Sequence, residues 1–401
     1  MSESRAPRFS TRWADEPRPN RLALLVEAKK KAGVALHDLT NTNPTKAGLS
    51  AAGGLSLPAP AATPSPAPPA PPYEPDPRGL PAAREAVARY YAEVGARVSP
   101  ENIFLTASTS EAYGFLFKLL TDPGDNILFP APSYPLFEHL ARMESIEARP
   151  CPLARRPDGG WAYSAEAILS ARNDRTRAVC LVSPNNPTGT TPDGNAWNAV
   201  QAACEKEGLP LILDEVFADY AWNGARPVFP RREPAVPVFV LNGLSKVLCA
   251  PQLKLAWILL HAPMDMKPPV RERLDLICDT YLSVNEPVQR ALPALLPRRK
   301  EVQAQVRARL AENRMILRSL PTGGHLRPLP GDGGWSQVIA LPDGTDEEDF
   351  ALRLLDGANV LVQPGYFYDI EEGAHFVVSL LSFPRELAQG LAAAAAILKN
   401  G

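Results

Sequence analysis

Asn186-Pro187-Thr188-Gly189, Asp214-Glu215 and Ser245-Lys246 stand in this order along the chain, each after a short apolar run, at residues 178–182, 210–213 and 237–241. Runs of this length without polar alternation fit strands buried on both faces. They belong to a longer series. Residues 82–93 have helical spacing, 102–106 read as a strand, 110–120 as a helix and 126–129 as a strand after the Pro123-Gly124-Asp125 turn. Such alternation predicts an α/β domain with a largely parallel sheet. Ligands of such sheets collect beyond the carboxyl ends of the strands, where all three groups fall.

The residue types there suit one kind of ligand. Lys246, after an Asn242-Gly243-Leu244-Ser245 turn, can form an imine with an aldehyde if its amine is kept partly neutral. Asp214 can keep a pyridine nitrogen protonated, and Asn186 can donate to a ring hydroxyl. Thr106-Ala107-Ser108-Thr109-Ser110-Glu111 follows a strand and opens a helix, so its amides and hydroxyls can cradle a phosphate. Tyr134 can stack on a ring. Alone, each has an ordinary structural explanation: a surface lysine, a helix cap, a turn, plain packing. Together they describe a site for pyridoxal 5'-phosphate (PLP).

The whole chain sets bounds on other functions. Its 401 residues, 45% hydrophobic, suffice for two or three domains. A net charge of -2, with signs interspersed, offers no field for nucleic acid or an anionic membrane. The N-terminus lacks the apolar core of a signal peptide, and no run reaches membrane-spanning length, so a cytoplasmic protein is expected. Cys151, Cys180, Cys204, Cys249 and Cys278 are odd in number and widely spaced, which fits reduced thiols. The five histidines lack ligand spacing, so no metal site is expected.

The organisation divides into three parts. Residues 1–72 hold an N-terminal arm, a helix at 21–32 and an exposed Pro/Ala-rich loop at 51–72. Residues 73–282 form the large ligand-binding domain. Residues 283–401 form a smaller α+β domain: a helical, Arg-rich stretch at 288–320, strand-like runs at 335–340, 360–363 and 375–381, and a closing helix at 386–399.

With these residues in hand, the chain resembles the class I/II aminotransferases of PLP fold type I, the aspartate aminotransferase superfamily, from about Asn43 onward. Asp76-Pro77-Arg78-Gly79-Leu80-Pro81 adds to the likeness. The resemblance implies a mostly parallel seven-stranded sheet flanked by helices, plus the smaller α+β domain. It implies that Lys246 carries the cofactor as an aldimine and moves the substrate proton. Asp214 would pair with the ring nitrogen, Asn186 would bond the hydroxyl, and Tyr134 would stack. Ser108, Thr109 and Ser110 would hold phosphate, with Ser245 beside the lysine. Tyr73 would reach the phosphate of the neighbouring subunit in a homodimer. The partners implied are a small-molecule amino donor and an oxo acceptor.

Departures from the family pattern shape the reading. Phe217 stands where a tyrosine usually donates to the ring hydroxyl, and it has no donor. Lys254 replaces a phosphate-binding arginine, supplying charge without the bidentate fork. Gly243 replaces a serine. Val377 stands at about the position of the arginine that clamps the substrate carboxylate, leaving Arg385, Lys254 and Arg12 as alternative cations. Asn43 and Tyr366 are further candidates for substrate contacts. An aminotransferase is the leading reading. A PLP-dependent lyase or decarboxylase on the same fold, or a weakly catalytic PLP-binding protein, stands as the alternative. A nicotinamide enzyme would need G-x-G-x-x-G after a strand, which is missing.

Overall fold

A computed structural model describes residues 9–13, 19–51, 74–224, 229–230, 233–321 and 323–399. Tyr73 and nearly all of the Pro/Ala-rich stretch lie outside the described residues. Seven strands form the central sheet, in the order Ile103–Thr106, Ala256–His261, Val238–Gly243, Leu211–Asp214, Thr176–Val182, Asn126–Ala131, Glu147–Pro152. Six run the same way, and Ala256–His261 is antiparallel to both its neighbours.

Alternation along the strands explains why they sit in the middle of the molecule. Leu211, Leu213, Val238 and Val240 enter one apolar cluster, whereas Ile212, Phe239 and Leu241 enter another on the opposite face. The second cluster is covered by the helices Thr109–Leu120, Leu136–Met143 and Lys267–Tyr281, through Phe115, Phe137 and Leu274 among others. Pro81–Glu93 and Gly194–Lys206 cover the first. Fully burying one such aliphatic side chain contributes about 1.5–3 kcal/mol, so a polar replacement in these runs would break the sheet locally.

A second, antiparallel sheet is built later in the chain from Arg327–Pro328, Ser336–Ala340, His375–Ser379 and Gln363–Pro364, in that order. The N-terminal part joins this region. His37–Asp38 pairs in parallel with Val360–Leu361, and the helix Arg21–Lys31 packs on Glu347–Ala358.

Several expected elements differ in detail. The helical stretch at 288–320 is two helices, Glu286–Leu295 and Arg299–Arg318, because Pro297 interrupts the donor series between them. The strand-like run at 360–363 divides into Val360–Leu361 and Gln363–Pro364, which join different partners. Asn242-Gly243-Leu244-Ser245 is no turn: Asn242 and Gly243 finish a strand, and Leu244–Val247 is a short helix. Tertiary pairing with Ala256 and Trp257 overrides the local turn preference of Asn-Gly.

Gly243 is required by that pairing. A Cβ there would lie 2.7 Å from Ala256 Cβ and 3.1 Å from the Leu255 carbonyl oxygen, so serine does not fit without moving the next strand. Gly243→Ala should lower unfolding free energy by about 1–3 kcal/mol in denaturant titration. Unchanged stability would contradict this close approach.

Candidate active site

The strand register gathers the sequence candidates at one edge of the sheet. Val182 pairs with Asp214 and Asp214 with Leu241. Across these ends, the Ser183 N–H donates to the Asp214 carbonyl at 2.8 Å and the Glu215 N–H to the Leu241 carbonyl at 3.0 Å. The Asn186 loop, Asp214 and the Lys246 helix therefore follow three adjacent parallel strands. Ala131, before Tyr134, and Thr106, before Ser108, end further strands pointing the same way.

Asp214 is only 6% exposed. Its Oδ1 accepts the Val216 N–H at 3.1 Å, and its Oδ2 accepts the Tyr113 hydroxyl at 2.9 Å. Burial pushes its carboxyl up to about 6 against the opposing pull of those hydrogen bonds. Lys246 retains some solvent-facing surface, but its amine sits among protein atoms, and that burial lowers its pKa. Its Nζ lies 5.0 Å from the Trp335 ring centroid and 5.5 Å from that of Phe217. The Tyr220 hydroxyl donates to the Lys246 carbonyl at 2.6 Å and holds the short helix in place.

Asn186 is oriented from outside its own loop. The Ser336 hydroxyl donates to Asn186 Oδ1 at 3.0 Å, which leaves the amide N–H groups available to a ligand. Tyr134 is 43% exposed, packs edge-on against Phe137, and has its hydroxyl pKa raised by burial and by the Asp214 charge. Ser108 caps the helix Thr109–Leu120, accepting the Glu111 N–H at 3.1 Å, while Glu111 accepts the Ala107 N–H at 2.6 Å. The side chains of Thr109 and Ser110 make no hydrogen bond to the described residues. Ser245 is half-buried beside the lysine. Lys254, exposed and with a left-handed φ of 52°, makes no ion pair among the described residues and stands two residues before Ala256, which pairs with Gly243.

The remaining candidates make local contacts or are exposed. Asn43 Oδ1 closes a local turn by accepting the Thr45 N–H at 3.0 Å and its hydroxyl at 2.7 Å. Tyr366 is exposed, donates its N–H to Glu347 and packs against Phe367; its neighbour Tyr368 instead accepts the Ser133 N–H, beside Tyr134. Arg385 is exposed in the first turn of Pro384–Lys399, and Arg12 donates to Ser145. None of these four touches Asp214, Asn186 or Lys246 by a hydrogen bond or ring contact among the described residues. Val377 is 2% exposed, between Val338 and Gln363 in the second sheet.

Three residues of the site escape the sequence reading: Tyr113, Ser336 and Trp335. The last follows a loop that ties the two sheets together. The N–H groups of Asp332 and Gly333 both donate to the Gly189 carbonyl, at 2.9 and 3.0 Å, and the Trp222 indole donates to Gly334 at 3.0 Å. A Cβ on Gly333 would lie 2.6 Å from Pro184 Cγ, so only glycine permits this approach. The Gly-Asp-Gly-Gly run was the available sequence signal.

Comparison with known proteins agrees with this geometry. The family model for aminotransferase class I and II matches residues 74–380. Nicotianamine aminotransferase 1 of Oryza sativa subsp. japonica is 32% identical over 231 residues, covering 56% of this chain and 46% of that protein. The chain thus spans about half the length of that relative. The arginine–pyruvate transaminase of Pseudomonas aeruginosa is 29% identical over 76% of this chain and 77% of its own. An alanine aminotransferase from Pyrococcus furiosus superposes with a TM-score of 0.81 at 25% identity, over 98% of this chain and 100% of that one. The mostly parallel seven-stranded sheet flanked by helices is the architecture of PLP fold type I, and the chain belongs to the aminotransferase class I and II family of enzymes.

Proposed function

We propose that this protein is a PLP-dependent aminotransferase that moves an amino group from an amino acid or related amine to an oxo acid. The observation carrying this reading is the placement of a buried amine, Lys246, and a buried carboxylate, Asp214, at adjacent strand ends. The residues present fit the cofactor. Asp214 is a buried carboxylate in need of a cationic partner, and a protonated pyridine nitrogen supplies one. Asn186, with its oxygen held by Ser336, keeps its N–H groups for the ring hydroxyl. The first amides of Thr109–Leu120, the side chains of Thr109 and Ser110, and the cation of Lys254 suit the phosphate. Tyr134 supplies a ring face, and Tyr73 a contact from a second subunit.

Bound PLP supplies an electron sink conjugated to the substrate Cα. The protein's own part is to hold the groups and move the proton. Burial lowers the pKa of Lys246 Nζ, which suits the roles of nucleophile and then of base for the Cα proton. Phe217 and Trp335 wall the amine with apolar surface and limit water around it, and Tyr220 packs against Trp335. With an apolar side chain at Val377, either another cation holds the substrate carboxylate or the substrate carries none at that point.

Most of the similar proteins are named as aminotransferases, which favours transamination, although one relative of 31% identity is named as a lyase. Exposed Leu276, Tyr281 and Leu282 around the end of the helix Lys267–Tyr281 support a homodimer, and five free cysteines support a reducing, cytoplasmic setting. The positions of the two sheets support division near 73–282 and 283–401.

Two measurements test this reading. PLP added to the purified protein should give a visible absorption band, and an amine panel with oxo acids should yield amino products by mass spectrometry. Lys246→Ala should lose the band and slow turnover by roughly 10²–10⁴-fold or more. Ammonia or carbon dioxide released without an acceptor would point to the lyase reading instead. Separately, the raised pKa of Asp214 makes the cofactor-free fold most stable below the unfolded carboxylate range, with that stability lost as pH rises through about 6. Asp214→Asn should therefore stabilise the cofactor-free protein at pH ~7.5 relative to wild type, by about 2 kcal/mol more than at pH ~4.5. An equal effect at both pH values would sink the assignment of Asp214 as a strained buried carboxylate.

A further inference from the structure

The short helix Leu244–Val247 that carries Lys246 ends early. A further turn would give the Val247 carbonyl the N–H of residue 251, but that residue is Pro251, which has none. Gln303 supplies the donor instead. It is 4% exposed on the helix Arg299–Arg318, and its Nε2 donates to the Val247 carbonyl at 3.0 Å and to Asp219 Oδ2 at 2.8 Å. Arg307 donates to Gln303 Oε1 at 3.3 Å, which fixes the direction the amide faces.

Completing a helix end is an ordinary structural role, and any donor would serve it. The partners of Gln303 go further. Asp219 directly precedes Tyr220, whose hydroxyl donates to the Lys246 carbonyl, so one amide nitrogen joins the lysine's helix to the turn that also holds it. Ten residues along the same helix, about 15 Å, Asn313 donates to the carbonyls of Leu380 and Ser382, both at 2.8 Å. The Leu380 N–H in turn donates to the Trp335 carbonyl at 2.7 Å. Arg299–Arg318 therefore grips the helix of Lys246 at one point and the strand end beside Trp335 at another. The Trp335 ring centroid lies 5.0 Å from the Lys246 amine, so amine and wall are set against each other by one rigid element.

We propose that Gln303 is a positioning residue for Lys246, holding the lysine's helix so that the amine stays against the Trp335 ring. This rests on Lys246 being the reactive amine of the proposed function and adds the group that places it. The titratable groups acting on the amine, Cys249 and Asp214, both favour its charged form, and exclusion from water opposes them. Loosening the tie to Val247 admits water and moves the amine toward the ordinary lysine value.

Competitive labelling of the cofactor-free protein with acetic anhydride, from pH ~6 to ~10.5, reads this through the peptide bearing Lys246 in mass spectrometry. Gln303→Leu, which keeps the bulk and loses the donor, should raise the labelling midpoint of Lys246 by at least about half a pH unit. In the PLP-loaded protein it should lower kcat by roughly tenfold or more, with KM changed by less than about twofold. Leu355→Ala, a fully buried truncation in the helix Glu347–Ala358, should lower stability and leave both readings at their wild-type values. An unchanged midpoint in Gln303→Leu overturns the proposal, and so does an equal shift in Leu355→Ala, which would mark general loosening. If Gln303→Leu fails to fold, Gln303→Asn decides: one methylene shorter, it cannot reach both acceptors, and an unchanged midpoint overturns the role. A wild-type protein that gives no band with PLP would sink the proposed function, whereas the labelling midpoint still decides the role of Gln303.

Discussion

Asp214 and Lys246 are held out of water at the ends of neighbouring parallel strands, where each is costly to keep charged. Burial raises the carboxyl and lowers the amine, so both are moved toward neutrality in the absence of a partner. A ligand presenting a cationic ring nitrogen to one and an electrophilic carbon to the other relieves both. The parallel sheet makes this arrangement possible because its strands end together, and a one-residue slip would turn Asp214 to the opposite face. The hydrogen bonds of Tyr113 and the Val216 N–H keep the carboxylate fixed while leaving it incompletely compensated.

The second sheet completes the site through a few contacts. Ser336, the first residue of its strand, holds the Asn186 amide, and Trp335, one residue earlier, covers the Lys246 amine. Both are placed by the Gly331–Gly334 loop hooked on the Gly189 carbonyl. Movement of the second sheet against the first would therefore alter the orientation of Asn186 and the surroundings of Lys246 together. That coupling is a physical link between the fold and the chemistry proposed for it.

Legibility in the sequence followed locality. Asp214, Asn186 and Lys246 could be found because each stands within five residues after an apolar run whose burial on both faces is written in its composition. Tyr113 could not, since on its helix it reads as one more core aromatic, and its hydroxyl meets Asp214 only across a sequence separation of 101 residues. Ser336 and Trp335 were hidden for the same reason. The strand Ala256–His261 was passed over because its antiparallel direction breaks the helix–strand alternation. Asn242-Gly243 misled because a turn-forming pair was captured by its neighbouring strand. Asn43 is a candidate by its place in the family pattern, and Tyr366 and Arg385 by chemical type; in the structure Asn43 closes a local turn and the other two are exposed. Tyr73 lies outside the described residues.

The central claim is that Lys246 is the amine that meets the cofactor. Incubation with PLP, trapping with borohydride, digestion and mass spectrometry of the peptides tests it directly. The account expects one pyridoxyl label per chain, on the peptide bearing Lys246. A label carried mainly by another lysine, or none after saturation with PLP, would contradict it.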